Sequence, residues 1–447
     1  MGKLFGTDGI RGVANRDLTA QMAFSVGVAA ASVLTRNSGG RPVITIGKDT
    51  RLSGDMLESA LAAGLCAGGA DAYMLGVAPT PAVAYITTSI GADAGVVISA
   101  SHNPFGDNGI KIFNSQGFKL SDELEDEIEL IVLSGELPLA EPSELGRVTR
   151  IPFKLRDTYI EHLHSCVSVT KKLKIAVDCS NGAAAVTAER VFAPYASELH
   201  IIHNDPDGKN INAGCGSTAP ASLCAEVVRL GCDIGFALDG DADRCIASDE
   251  RGNIVDGDKI MAIVGSRMIE TGTLKGGAIV ATVYSNLGFG EFARERGITL
   301  KAAQTGDRNV LELMQKENHN LGGEQSGHII FLDDATTGDG QLAAIKMLEA
   351  VTAFDKPTSE LAAAFKTYPQ ELVNVALPRE ADKDAIMGGE RLQAAIAIAE
   401  RELGDRGRVL VRPSGTEPKL RVMVEAPTSE QALRLANAIA DCVPSDG

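Results

Sequence analysis

Along most of this chain, short apolar runs rich in β-branched residues alternate with stretches of helical spacing. Residues 43–47 predict a buried strand, and Ser53 then stands as the N-cap of a helix with Leu57, Leu61 and Leu65 on one face. Further strands are predicted at 73–77, 95–99 and 110–113, after which Ser121 opens an acidic helix carrying Leu124, Ile128 and Ile131. The pattern returns at 174–178, 199–202, 234–238, 278–283, 300–303 and 329–332, with helices between. Such alternation predicts open α/β sheets, mostly parallel and covered on both faces. The tail has another rhythm: strands at 373–377, 409–411 and 420–424 and a helix at 430–442 read as a small α+β unit with antiparallel pairing. Boundaries are expected near 151–154, 256 and 369. There is no fixed-period repeat, but the three α/β blocks are of similar size.

Composition narrows the function classes. The chain has 447 residues, 44% hydrophobic and 23% charged, which excludes a disordered chain, a collagen-like repeat and a coiled coil. Length alone suggests about three domains. A net charge of −17 repels phosphate backbones, so neither nucleic acid nor an anionic membrane is expected as a partner. A small anionic substrate remains compatible, because a few Arg side chains can invert the sign inside one cleft. With no Trp and only 4% aromatic residues, a sugar site would be built from polar groups rather than stacked rings.

No stretch has the roughly 18 consecutive apolar residues that a membrane helix needs. Residues 20–34 come nearest to a signal-peptide core but follow a glycine-rich stretch and an Asp, not a basic segment, and predict an Ala-rich interior helix. Eight Cys at 66, 166, 179, 215, 224, 232, 245 and 442 form no C-x-x-C pair, so they read as cytosolic thiols in a cytoplasmic protein.

Four loops carry candidate chemistry. Ser99-Ala100-Ser101-His102-Asn103-Pro104 follows a predicted strand, the place where α/β proteins put ligands. Ser101 there is a nucleophile or phosphate carrier, or simply part of a structural Ser-Asn-Pro turn. No G-x-S-x-G elbow supports a serine hydrolase, and adjacent residues such as Ser101 and His102 are poorly placed to act as nucleophile and base. Asp239-Gly240-Asp241-Ala242-Asp243-Arg244 follows another predicted strand. Three alternating carboxylates repel one another unless they share a hard cation; a solvated acidic turn is the alternative. An EF-hand fails because Arg244 stands where that loop needs Gly and strands flank the site.

In Gly322-Gly323-Glu324-Gln325-Ser326-Gly327-His328, the alternating Glu324, Ser326 and His328 would share one side of an entering strand and suit sugar hydroxyls or an amine. Alone, the segment is equally a polar turn. Arg412-Pro413-Ser414-Gly415-Thr416-Glu417-Pro418, with Arg421 beyond it, groups anion-binding donors in an acidic chain; a hairpin turn explains Pro413 and Gly415 but not the donors. Gly288-Phe289-Gly290-Glu291-Phe292-Ala293 also fits a dinucleotide fingerprint, but it lies in mid-chain and the pattern is of low specificity.

Together, the four loops resemble, in the same order, the phosphoserine, metal, sugar and phosphate loops of the α-D-phosphohexomutases. Phe5-Gly6-Thr7-Asp8-Gly9-Ile10-Arg11-Gly12 is also similar to that family, and the resemblance spans the whole chain. It implies three similar α/β domains with mostly parallel mixed sheets and a smaller C-terminal α+β domain around a central cleft, here 1–155, 156–255, 256–369 and 370–447. It implies a phosphorylated Ser101 and one Mg²⁺ per chain held by Asp239, Asp241, Asp243 and an oxygen on Ser101. Glu324 and Ser326 would contact the sugar. Arg412, Ser414, Gly415, Thr416 and Arg421 would hold the phosphate that does not react. Arg11, Lys111 and Arg244 would line the transfer site, with Lys111 and His328 as candidates for proton transfer.

The N-terminal motif and Gly-Glu-Gln-Ser-Gly-His point to the hexosamine branch. The implied reaction converts glucosamine 6-phosphate to glucosamine 1-phosphate through a bisphosphorylated sugar, which also serves as activator, and feeds amino-sugar nucleotide and cell-wall precursor synthesis. Phosphomannomutase or phosphoglucomutase activity is the alternative. The chain would act as a monomer or homodimer, with a mobile C-terminal domain that closes on the ligand. Thr305-Gly306-Asp307-Arg308-Asn309 departs from the family pattern at Thr305, and Ser217-Thr218-Ala219-Pro220 at Ala219. Both are expected to bear on local packing.

Overall fold

The structure, a computed structural model, describes residues 4–6, 8–36, 41–363, 365–378, 382–413 and 419–443. The chain divides into two compact units, Met1–Tyr284 with Ile298–Ala363 and Ser285–Gly297 with Ala364–Gly447. The first unit holds three mixed sheets.

In the seven-stranded sheet the order is Phe5–Gly6, Gly9–Val13, Asp107–Asn114, Ala94–Ile98, Val43–Lys48, Asp71–Val77, Val148–Arg150. Its last four strands are parallel and the others antiparallel. The five-stranded sheet runs Ile254–Val255, Cys245–Asp249, Ile234–Leu238, Leu173–Asp178, Ala196–Ile202, and the four-stranded one Thr299–Ala303, Ala278–Thr282, Leu321–Gly323, Ile329–Phe331.

One arrangement recurs in all three. A strand in the parallel part, Ala94–Ile98, Ile234–Leu238 or Leu321–Gly323, ends in a short loop and returns as an antiparallel neighbour, Asp107–Asn114, Cys245–Asp249 or Ile329–Phe331. The three loops so formed are those that carry Ser101, the Asp cluster and Glu324. The expected parallel character therefore holds on one side of each sheet and breaks at the strand that follows the chemistry.

The helix Ala20–Leu34 buries Ala23, Val26, Ala30 and Val33 as an interior helix should. It packs on Gly54–Ala67, whose Leu57, Leu61 and Leu65 are fully buried. The two helices meet at glycines: a Cβ on Gly64 would stand 2.1 Å from the Phe24 carbonyl oxygen, and one on Gly27 2.5 Å from that of Leu61. Ser53 precedes the second helix without capping it. Its backbone is already helical (φ −72°, ψ −11°), whereas a cap needs extended torsions, and its Oγ accepts instead from Asn108 Nδ2 at 2.9 Å.

The second unit is the antiparallel α+β body that the tail predicts, with strand order Gln370–Ala376, Lys419–Glu425, Arg408–Pro413. Leu392, Ala399 and Leu403 from one helix and Leu435 and Ile439 from another supply its core. Phe289 meets Phe365 edge-on and Phe292, also of the helix Leu287–Glu295, meets it tilted, at 5.6 and 6.0 Å between ring centroids. Gly288 is a packing glycine, since a Cβ there would lie 1.6 Å from the Lys366 carbonyl oxygen. Among the described residues no helix is long and apolar enough to cross a membrane.

Gly64→Ala forces these two helices apart. Urea unfolding followed by circular dichroism is expected to show a loss of about 1–3 kcal/mol, the usual cost of overpacking; a neutral result would mean the helices have room to slide.

Candidate active site

The site forms where two of the recurrent loops face each other in the first unit. Ser101 adopts a left-handed backbone (φ 51°), which turns its Oγ toward the second loop to donate to Asp239 Oδ2 at 2.6 Å. Asp239, Asp241 and Asp243 are buried, and one carboxylate oxygen from each lies within 4.8 Å of the other two. The hairpin Ile234–Leu238/Cys245–Asp249 closes through the register pair Leu238 and Cys245, so the six residues between them have no room to splay. Ala242 there takes a positive φ of 58°, and Arg244 N donates back to Asp239 Oδ1 at 3.1 Å.

Charge balance is the dominant physics. Lys111 Nζ, fully buried, reaches Asp241 Oδ2 at 2.9 Å, Asp243 Oδ2 at 3.3 Å and Asp8 Oδ2 at 3.1 Å. Thr80 Oγ1 donates to Asp241 Oδ2 at 2.7 Å. Burial, together with the charges of Asp243 and Asp241, raises the Asp239 carboxyl well above the usual range. Burial also disfavours the Asp243 carboxylate, but Lys111, His328 and Arg244 outweigh it and hold this group well below that range. Lys111 shows the same contest: burial opposes its charge, yet Asp241, Asp8 and Asp243 raise its pKa well above the ordinary value. It therefore serves as a fixed positive charge and makes a poor base at neutral pH.

Asp241 Oδ1 and Asp243 Oδ1 are buried without a hydrogen-bond partner. Unpartnered carboxylate oxygens are costly in the interior. A hard divalent cation between the three carboxylates satisfies them, so the residues present fit Mg²⁺.

A second ring of charge surrounds this centre. Asp8 pairs with Arg11, Lys111 and Lys119, the last at 2.5 Å. Lys119 also pairs with Asp307. His328 is buried between Asp243 Oδ1 (3.7 Å from Nδ1) and Asp307 Oδ2 (3.6 Å from Nε2), and its Nε2 accepts from Gly338 N at 3.2 Å. His102 Nδ1 stands 3.3 Å from Ser101 Oγ, a contact unexpected between neighbours that the left-handed turn makes reachable. Burial, with Arg244 and Arg11 nearby, pushes that imidazole down to about 4, so it is neutral at pH 7.

The third loop is a hairpin turn, the second of the two readings its sequence allows. Gly323 and Ile329 are register partners and residues 324–328 close the turn between them. Glu324 and Ser326 remain together, with Ser326 Oγ donating to Glu324 Oε2 at 3.2 Å, while Gly306 N donates to Glu324 Oε1 at 3.1 Å. His328 turns inward instead of sharing their side. Cys245 N donates to Gly327 O at 3.0 Å, and Arg244 bridges His328 through the backbone, so the turn is fastened to the Asp loop.

In the second unit, Arg412 and Arg421 are direct register partners on adjacent strands, which puts two guanidinium groups on one face. Ser414, Gly415 and Thr416 lie outside the described residues.

The expectation for the 305–309 segment concerned the departure at Thr305; two residues on, Asp307 meets Lys119 and His328. Sequence reasoning missed it along with Asp8, Thr80 and Lys119. Asp8 lay inside the Phe5–Gly12 motif, so its signal was present; Thr80 and Lys119 sit in stretches with no distinguishing pattern.

Comparison with known proteins places the chain in a family. Four family models match in order: phosphoglucomutase/phosphomannomutase alpha/beta/alpha domain I over residues 2–138, domain II over 157–252, domain III over 256–368 and the C-terminal domain over 372–442. A phosphoglucosamine mutase from Moorella thermoacetica is 51% identical over 436 residues, covering 96% of this chain and 97% of the relative. Another from Geobacillus thermodenitrificans is 51% identical, covering 99% and 98%. Among solved structures, a phosphoglucomutase/phosphomannomutase family protein from Burkholderia thailandensis matches with a TM-score of 0.82 at 25% identity, over 99% of this chain and 97% of that one. The N-acetylphosphoglucosamine mutase of Aspergillus fumigatus, in complex with GlcNAc-6P and magnesium, shares the fold with a TM-score of 0.70 at 18% identity, over 99% and 96%. The chain belongs to the α-D-phosphohexomutase family, on its phosphoglucosamine mutase branch.

Proposed function

We propose that this chain interconverts glucosamine 6-phosphate and glucosamine 1-phosphate, with Ser101 as the phosphoryl carrier. The observation that carries the reading is Ser101 Oγ on Asp239 at 2.6 Å, beside buried carboxylates that have oxygens to spare. Phosphoserine 101 gives its phosphoryl group to the free 1-hydroxyl of the sugar: the bond from phosphorus to the Ser oxygen breaks and one to the sugar oxygen forms. In net terms, the proton of that hydroxyl ends on the Ser101 oxygen. The sugar bisphosphate then turns end for end, and its 6-phosphoryl group returns to Ser101 by the same step in reverse. The bisphosphate thus also charges an unphosphorylated chain.

The residues divide the work by charge. Asp239, Asp241 and Asp243 would hold Mg²⁺, which when bound supplies charge stabilisation to the transferring group. Lys111, locked in its charged form, Arg11 and Arg244 act on the same group from the chain itself. Positioning and charge are what phosphoryl transfer needs most. His328, whose pKa is raised by Asp243 and Asp307 against the opposing effect of burial, is the proton-transfer residue, and Lys111 is assigned to charge instead.

The Glu324 carboxylate, tied to Ser326 and Gly306, suits an amine at C2 and supports glucosamine over the hexose phosphates of the alternative reading. Arg412 and Arg421, with Ser414, Gly415 and Thr416, take the phosphate that is not reacting. They grip phosphate alone and so accept either end of the sugar. Part of this reading is a division into domains at 1–155, 156–255, 256–369 and 370–447 and a cytoplasmic monomer or homodimer without nucleic-acid or membrane partners.

Ser101→Ala is expected to abolish turnover, and intact mass of the parent protein is expected to show one phosphoryl group that the variant lacks. Turnover by the variant would contradict the carrier role. Rates on glucosamine 6-phosphate should exceed those on glucose 6-phosphate or mannose 6-phosphate in a coupled assay with Mg²⁺ and sugar bisphosphate; a preference for either hexose would favour the alternative. Adding Mg²⁺ to chelator-treated protein should raise the melting temperature, by mass action on the folded state. Asp241→Asn, which removes one carboxylate charge, should blunt that rise, and an equal rise in both proteins would place the cation elsewhere.

A further inference from the structure

The Ser101 loop is held from behind as well as from the metal side. Arg51 and Asp49 are completely buried side chains. Arg51 Nε donates to Asp49 Oδ2 at 2.8 Å. One terminal nitrogen, Nη2, donates to the carbonyl oxygens of Ser101 and Asn103, each at 2.8 Å. The other, Nη1, donates to the carbonyl oxygens of Asp107, at 3.0 Å, and Pro104. These five contacts match the five N–H donors of a guanidinium, so none is left for a substrate phosphate.

Asp49 completes the frame. Its Oδ2 also accepts from Ser99 Oγ at 2.6 Å, and Ser99 Oγ in turn accepts the Ser101 N–H at 2.9 Å. Asn212 Nδ2 donates to the same two carbonyl oxygens, at 2.8 Å to Ser101 O and 3.0 Å to Asn103 O. Ser180 Oγ braces Asn212 by donating to its Oδ1 at 2.6 Å. The peptide groups on both sides of Ser101 are thus fixed while the residue sits in a left-handed conformation that non-glycine residues seldom hold unaided.

We propose that Arg51, braced by Asp49 and matched by Asn212, is a positioning residue for phosphoryl transfer: it clamps the main chain of the Ser101 loop and so holds Ser101 Oγ on the Asp cluster. The proposal rests on the reading of Ser101 as phosphoryl carrier. A phosphoryl group placed on Ser101 adds negative charge beside three carboxylates, and repulsion then tends to swing the loop away. A clamp on the carbonyl side resists that swing without competing for the phosphate. Arg suits the task and Lys does not, because a planar fork reaches four carbonyls at fixed angles and a single ammonium does not.

The test uses the full chain with Arg51→Lys and Asn212→Gly, the latter because glycine accepts the positive φ at 212. For Arg51→Lys, kcat on glucosamine 6-phosphate is expected to fall about 100-fold, the scale of a displacement near 1 Å. KM should stay within about threefold, because substrate is gripped by other residues. Asn212→Gly should lower kcat on the order of tenfold through two lost hydrogen bonds to the loop, while circular dichroism shows it still folded. Should Arg51→Lys fail to fold, Asn212→Gly decides by itself. A kcat within twofold of the parent in the folded variants, or a KM that rises as far as kcat falls, overturns the clamp. An inactive Ser101→Ala beside fully active clamp variants overturns the clamp alone, whereas an active Ser101→Ala overturns the carrier reading and the clamp with it.

Discussion

Three carboxylates buried within 4.8 Å of one another are the constraint on which the rest of the site depends. Left alone they would repel and each would lose the hydration of its charge. Lys111 answers part of that cost, and it can do so only because the antiparallel strand Asp107–Asn114 carries it under the Asp loop. Asp8, in turn, holds Lys111, Arg11 and Lys119 in place. Two carboxylate oxygens still lack a hydrogen bond, and this residual imbalance fits the centre to a cation. A net charge of −17 thus coexists with a local ring of Lys and Arg that an anionic sugar phosphate can meet.

The fold delivers these groups by repetition. Each sheet of the first unit ends its parallel part in a loop and turns back antiparallel, so Ser101, the Asp cluster and Glu324 occupy equivalent places in three sheets. A short hairpin restrains such a loop at both ends, which suits a site whose function is to hold charge in fixed positions. The second unit offers a different device, an antiparallel pair with Arg412 opposite Arg421.

What the sequence reveals follows from locality. Ser101 and the three Asp were legible because the donors of each loop are contiguous or spaced by one strand period, and the Arg412–Arg421 pairing because a loop joins two predicted antiparallel strands. The strands at the centre of the sheets were legible from their apolar runs, whereas the two-residue strands Phe5–Gly6 and Ile254–Val255 are too short to show a period. Ser53 had the right type for a cap, but Asn108, distant in sequence, claimed its oxygen. Arg51, Asn212, Lys119 and Asp307 were illegible as site residues, because each acts on a partner more than 50 positions away or through carbonyl groups that no side-chain pattern encodes. The alternation of Glu324, Ser326 and His328 suggested one face, but a turn has no two-residue period, and His328 was drawn to Asp243 and Asp307.

The central claim is that the phosphoryl group travels through Ser101, and the most direct measurement follows it during a single turnover. Protein carrying a ³²P-labelled phosphoryl group on Ser101 is mixed in excess with unlabelled glucosamine 6-phosphate and quenched at short times. The account requires label to leave the protein and appear in sugar bisphosphate at least as fast as glucosamine 1-phosphate is formed in steady state. Product formation while the label stays on the protein would contradict it.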